Sequence, residues 1–235
     1  MSELPGSRGL LISAARPSNL ESDIQFRSIG YLDYYQYSLY IIQCLHYHIR
    51  TDYVLIVQED GWVLNGANWN DDWFNYDYIG SPCPYAGIDG KVVPNFLWAG
   101  NPHAIPVLCG GFSLRSRALL EAPTKYGICY KICEEPLLRN EDVQICLSLR
   151  RSLEARGLRI APLSVALEFS VEYMHPVVHK DLDLTTLFGQ HAKTRRIRPN
   201  SIIETNLHQH EIDQIFGENR LIALLEAYGY TVRRK

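Results

Sequence analysis

The chain has 235 residues, with 23 basic against 26 acidic side chains and a net charge of −3. That balance excludes a surface built to neutralise a nucleic-acid backbone, which needs a basic excess. Hydrophobic residues at 46% and charged residues at 21% exclude a disordered chain, and the length suits one generous domain. No apolar run approaches the roughly 20 residues of a membrane span. The start, MSELPGSRGLL, lacks a secretory-signal pattern, so the expectation is a cytoplasmic chain with no transmembrane segment. Six cysteines, at 44, 83, 109, 129, 133 and 146, form no CxxC pair and read as reduced thiols, mostly small core residues.

In chain order, Gly9–Ala14 reads as a short buried strand and Ile24–Ile29 as a weaker one. Apolar positions Tyr35, Leu39, Ile42 and Leu45 recur at helical spacing and predict a helix over Tyr34–His48. The continuous run Tyr53–Val57 reads as a central parallel strand. A short strand is expected at Tyr76–Ile79, and a long Pro-, Gly- and Asn-rich loop over 81–107. Gly110-Gly111 reads as a turn into a strand, followed by a helix from Ser116. Asn140–Arg150 predicts a helix with an acidic first turn. Leu158–Pro162 and Val165–Phe169 are strand candidates. Residues 209–228 predict two helices broken at Gly217. The simplest organisation is a single α/β domain over 1–235, with a helical extension from about 200.

Several residues can carry chemistry. Asp60 lies where a buried strand ends, the place at which open α/β sheets bind ligands. Strand alternation puts Gln58 on its face and Glu59 on the other. Glu141-Asp142 opens a helix and serves either as a cap or as a general base near a reacting hydroxyl. His191 could join carboxylates around a divalent ion. His46/His48 and His208/His210 have an i, i+2 spacing that diverges on a helix. Gly110 and Gly111 either form a tight turn or let a ligand approach the backbone. The basic run Lys193–Arg198, with Arg195 inside it, is either a solvated charge run or a cover for a diphosphate. Fifteen tyrosines stand out. Tyr31, Tyr34, Tyr35, Tyr37 and Tyr40 crowd the helix before the central strand, where some of them face a pocket. Trp62, Trp69, Trp73 and Trp98 suit sugar stacking and core packing alike.

The order of motifs is more specific than any one of them. Gln58-Glu59-Asp60-Gly61 is followed by Tyr76-Asp-Tyr-Ile-Gly80-Ser-Pro82, Gly110-Gly-Phe-Ser-Leu-Arg-Ser116 and Glu141-Asp142-Val143. Phe169-Ser-Val-Glu172 and Phe188-Gly-Gln-His191 come last. Over roughly residues 9–230 this resembles a little-studied family of GT-A-type glycosyltransferases of bacteria and large viruses. The resemblance implies a GT-A-like (Rossmann-like) domain with a mixed, mainly parallel central sheet flanked by helices. It implies transfer of a sugar from a nucleotide-diphosphate sugar to a hydroxyl of a glycan or similar acceptor, assisted by Mn²⁺ or Mg²⁺. Asp60 and His191 would hold the ion, with Gln58 replacing the first acid of a degenerate DxD motif. Asp142 would be the inverting base and Glu141 would orient it or the acceptor. Gly110, Gly111 and Arg195 would border the donor. Only eight residues precede the first predicted strand, so the chain is expected to start late relative to such relatives. The alternatives are a non-catalytic nucleotide-sugar or glycan-binding module, and a metal-dependent hydrolase using the same carboxylates.

Overall fold

The computed structural model describes residues 3–132 and 134–235, so Cys133 lies outside the described residues. β1 (Gly9–Ser13) pairs in parallel with β2 (Ile24–Ser28), and β1 is half-buried rather than buried. Helix α1 (Tyr34–Gln43) starts in a capping box: the Asp33 carboxylate accepts from the Gln36 backbone N–H at 2.8 Å, and the Gln36 side chain accepts from the Asp33 N–H at 2.9 Å. The helix stops at Gln43, and Leu45–His48 tightens into a 3₁₀ turn, so the predicted helix is one turn too long.

The largest sheet corrects the expected fold class. β3 (Tyr53–Val57), β5 (Tyr78–Ile88), β6 (Lys91–Val93) and β7 (Ile105–Ser116) lie in the order β3-β7-β5-β6. All three pairings are antiparallel, so the protein is mixed α/β and its central sheet is not the mainly parallel, GT-A-like sheet. β3 is an edge strand of this sheet and is half-buried, although its unbroken apolar run reads like a central parallel strand. The expected loop over 81–107 is loop over 94–104 but strand over 81–88, 91–93 and 105–107. β5 and β6 form a hairpin closed by Asp89 (φ 49°) and Gly90 (φ 76°), both left-handed as a type I′ turn requires. Gly110-Gly111 is no turn but the middle of the twelve-residue β7.

Helix α2 (Arg117–Tyr126) follows β7, with the Ser116 hydroxyl accepting from the Leu119 N–H at 3.0 Å. α3 (Glu141–Val143) runs through a π turn at Gln144–Ser148 toward α4 (Arg150–Glu154), as the acidic-first helix predicts. The strand candidate Val165–Phe169 lies instead in helix α5 (Leu163–Phe169), which buries Ala166 and Phe169 at i, i+3 spacing. Leu158–Pro162 contributes only a bridge from Ile160 to Tyr78.

A second, three-stranded sheet in the order β4-β9-β8 positions the site. It joins β4 (Gly61–Val63), β8 (Ser170–Val171) and β9 (Gly189–His191). The C-terminal part is not only helical. β10 (Arg195–Arg198), β11 (Ile202–Thr205) and β12 (Thr231–Arg233) form a further three-stranded sheet, and α6 (Gln209–Gln214) and α7 (Glu218–Ala227) lie between β11 and β12 in the chain. Gly217 separates the helices at φ 76°.

Aromatic rings build the main core. Trp73, Phe112, Phe169 and Phe188 pack with ring centroids 5.0–5.8 Å apart. Trp62, Trp73 and Trp98 are buried and Trp69 stands edge-on to Trp73, so the tryptophans are packing residues. Free thiols occur at Cys44, Cys83, Cys109, Cys129 and Cys146, of which 83, 109 and 146 are buried. Among the described residues, no helix is long and apolar enough to cross a membrane.

Candidate functional site

The site forms where β3 ends. The chain turns at Gln58-Glu59-Asp60, with the Gly61 N–H donating to the Gln58 carbonyl at 3.0 Å. Strand pairing then sets Gly61 opposite His191, and the Ala192 N–H donates to the Asp60 carbonyl at 3.0 Å. Asp60 Oδ1 consequently lies 3.0 Å from His191 Nε2. Glu59 points outward to Arg196, as the alternation predicts. The Gln58 amide donates to the Tyr37 hydroxyl at 2.8 Å, which places one of the helix tyrosines at the site.

His191 is 2% exposed. Its Nδ1 faces Cys109 Sγ at 3.1 Å and Glu172 Oε1 at 3.5 Å. Its Nε2 is buried and makes no hydrogen bond despite its closeness to Asp60. Burial opposes the charged ring, but Asp60, Cys109 and Glu172 together hold its pKa above the usual range. Burial lowers the acidity of Glu172, whose pKa is pushed up to about 7. Asp60 keeps a lowered pKa because the adjacent His191 ring with its charge and the Lys193 ammonium outweigh its desolvation.

Glu141 and Asp142 sit at Gly110 of β7, and the Asp142 carboxylate comes within 4.8 Å of the Cys83 and Cys109 sulfurs. Glu141 Oε1 meets Arg115 Nη2 at 3.1 Å, and both side chains are buried. Asp142 is half-buried. Its carboxylate accepts from the Val143 N–H at 2.7 Å and from the Gly110 N–H at 3.4 Å. Burial first, then repulsion from Glu141, drives its pKa well above the carboxylate range. The same two carboxylates raise the Tyr34 phenol, after burial.

The two glycines are needed by the site's own side chains. A Cβ at Gly110 would overlap Glu141 Oε1, and one at Gly111 would overlap His191 Nε2 and Gln58 Oε1. Close backbone approach is therefore real, but the approaching groups belong to the protein.

The structure thus brings together Gln58, Asp60, Gly110, Gly111, Glu141, Asp142 and His191. It does not bring in Arg195, which is buried and ion-paired with Glu218 of α7. The cation whose charge reaches Asp60 is Lys193, exposed in the same basic run. His208 and His210 stack on each other in the C-terminal part, and His208 Nδ1 lies 3.1 Å from the Lys235 carbonyl oxygen. Three further residues escaped sequence reasoning: Cys83, Cys109 and Glu172. Glu172 ends the Phe169-Ser-Val-Glu172 motif, which the sequence shows without a role for its acid.

The residues fit a divalent cation on the outer face of His191. A buried ring nitrogen without a hydrogen bond, a carboxylate oxygen 3.0 Å away and an amide oxygen converging on the same glycine are suitable donors. A carboxylate against the opposite ring nitrogen is the usual second support of a metal-binding histidine.

The chain belongs to a family described as protein of unknown function (DUF5672), whose model matches residues 31–191. The match runs from Tyr31, just before α1, to His191 itself. No curated protein and no solved structure matches the chain.

Proposed function

We propose that the protein transfers a sugar from a nucleotide-diphosphate sugar to a hydroxyl of a glycan or similar acceptor, with inversion. The observation that carries this reading is the pairing of two unlike acid sites across Gly110-Gly111. One, Asp60 with His191, stays charged and faces an unpartnered nitrogen. The other, Asp142, is half-open and has its proton affinity raised. Opposed environments of this kind divide charge stabilisation from proton transfer.

Asp60 and His191 would hold Mn²⁺ or Mg²⁺, which when bound draws off charge developing on the leaving diphosphate. Lys193 adds a cation beside Asp60. Asp142 takes the proton of the acceptor hydroxyl as that oxygen attacks the anomeric carbon; a base with a raised pKa works nearer neutral pH. Glu141 is bound to Arg115, so it positions Asp142 rather than reacting.

Calorimetric titration with uridine, guanosine and thymidine diphosphate sugars, with and without Mn²⁺, tests the reading. Binding of one donor should require Mn²⁺ and disappear in Asp60→Ala. Donor binding that is indifferent to both Mn²⁺ and this substitution rejects it.

A further inference from the structure

We propose a second cation site, for Zn²⁺ or another thiophilic divalent ion, on the inner face of His191, with Cys83, Cys109 and Glu172 as the other donors. The four residues arrive from different strands: Cys83 in β5, Cys109 in β7, Glu172 directly after β8, and His191 ending β9. Each is at most 8% exposed. One ligand atom each of Cys109, Glu172 and His191 lie within 4.8 Å of one another. Cys109 Sγ is 3.1 Å from His191 Nδ1, Glu172 Oε1 is 3.5 Å from the same nitrogen, and Cys83 Sγ is 3.5 Å from Glu172 Oε2. Tetrahedral zinc, with bonds of about 2.0–2.3 Å, has donor-to-donor edges of about 3.4–3.8 Å. The Cys109–His191 and Glu172–His191 spacings need only small adjustments to meet those edges, and Cys83, which faces the other carboxylate oxygen of Glu172, turns inward to complete the set.

Donor chemistry selects the ion. Two sulfurs, an imidazole and a carboxylate suit zinc, whereas Mg²⁺ and Mn²⁺ prefer oxygen. On loading, Cys83 and Cys109 bind as thiolates and His191 binds through a deprotonated Nδ1, the displaced protons passing to solvent; nothing is oxidised or reduced. An ion on Nδ1 leaves the ring proton on Nε2, directed at Asp60. A neutral imidazole has one lone pair, so an ion on the inner face excludes one on the outer face. That exclusion alone rests on the transfer reading; the inner site itself does not.

The test uses the full chain, purified reduced and stripped of metal, and titrated with Co²⁺. A thiolate-to-cobalt charge-transfer band should appear, saturate at one ion per chain and vanish on addition of Zn²⁺. Cys109→Ser should lose the band, and Asp60→Asn, which leaves the inner donors untouched, should keep it. The unsubstituted chain decides the matter even if Cys109→Ser fails to fold. Absence of the band, or its full retention in a folded Cys109→Ser chain, overturns the site, as does a Cys83–Cys109 disulfide found by mass spectrometry in protein kept under reductant. No nucleotide sugar is present in this experiment, so its failure and that of the transfer reading are separate results.

Discussion

Arg115 and Glu141 form an ion pair of 3.1 Å almost wholly out of water, with side-chain exposures of 0% and 7%. Arg115 closes the GGFSLR stretch and Glu141 opens the Glu-Asp pair, so two separate sequence motifs are halves of one contact. The guanidinium also donates to Ser113 Oγ at 3.0 Å and lies over the Tyr78 ring at 5.0 Å. Held in this way, Glu141 fixes the start of α3 and with it the neighbouring Asp142.

Breaking that pair from one side strands a buried charge. Glu141→Leu or Arg115→Leu should each cost about 3–5 kcal/mol, and the double substitution less than their sum. Urea denaturation of the three variants measures this. Single variants as stable as the parent would remove Glu141's positioning role.

Asp142→Asn should lower transfer by about 10²–10⁴-fold while donor binding persists, because only the proton acceptor is removed. The same change should stabilise the fold. The folded-state pKa of Asp142 is raised, so the native state resists its ionisation and stability is lost as pH climbs through that value. Melting temperatures should favour Asp142→Asn in mildly alkaline buffer, with the gap closing on acidification. A gap that is constant with pH contradicts the raised pKa.

Gly111→Ala places a methyl group against His191 Nε2 and Gln58 Oε1. Overpacking of this kind costs about 1–3 kcal/mol, and here the displaced atoms are metal donors. The variant should melt earlier and lose Mn²⁺-dependent donor binding, both read on one preparation. Retained binding at parental affinity would separate the glycine from the site.

Much of the site was legible because its residues are local to strand ends. Asp60 and Gln58 were readable from alternation out of β3, and the acidic start of α3 exposed Asp142. The sheet was not legible from the same signals. Tyr53–Val57 is apolar at every position, yet an edge strand covered partly by its neighbours shows the same run as a central one. The Asp89-Gly90 turn between Gly87-Ile88 and Lys91-Val92 is a strong hairpin signal, but Pro82, Pro84 and Pro94 around it read as loop. Arg195 misled for a different reason: a basic run shows charge but not which cation finds a buried partner, and Glu218 lies 23 residues further on. The roles of Cys109, carried by β7, and of Glu172, carried next to His191 by the pairing of β8 with β9, became visible only once the fold set both against that ring.

His179 offers a stability test remote from this chemistry. It is 1% exposed, and its Nδ1 accepts from the His175 N–H at 3.0 Å while Nε2 has no partner. Burial lowers its pKa from 6.5 to about 4. Protonating the ring would also cost it the bond from His175, since a charged imidazole accepts nothing. The unfolded chain therefore takes up a proton that the folded one refuses. The neutral ring's contribution is complete above pH 6.5 and is lost as pH falls from there toward 4. At 1.36 kcal/mol per unit, the loss across this window is on the order of 3 kcal/mol. Urea denaturation through the window should show the slope in the parent and a flatter one in His179→Gln, which cannot titrate. Equal slopes in the two proteins would mean that His179 is reached by water.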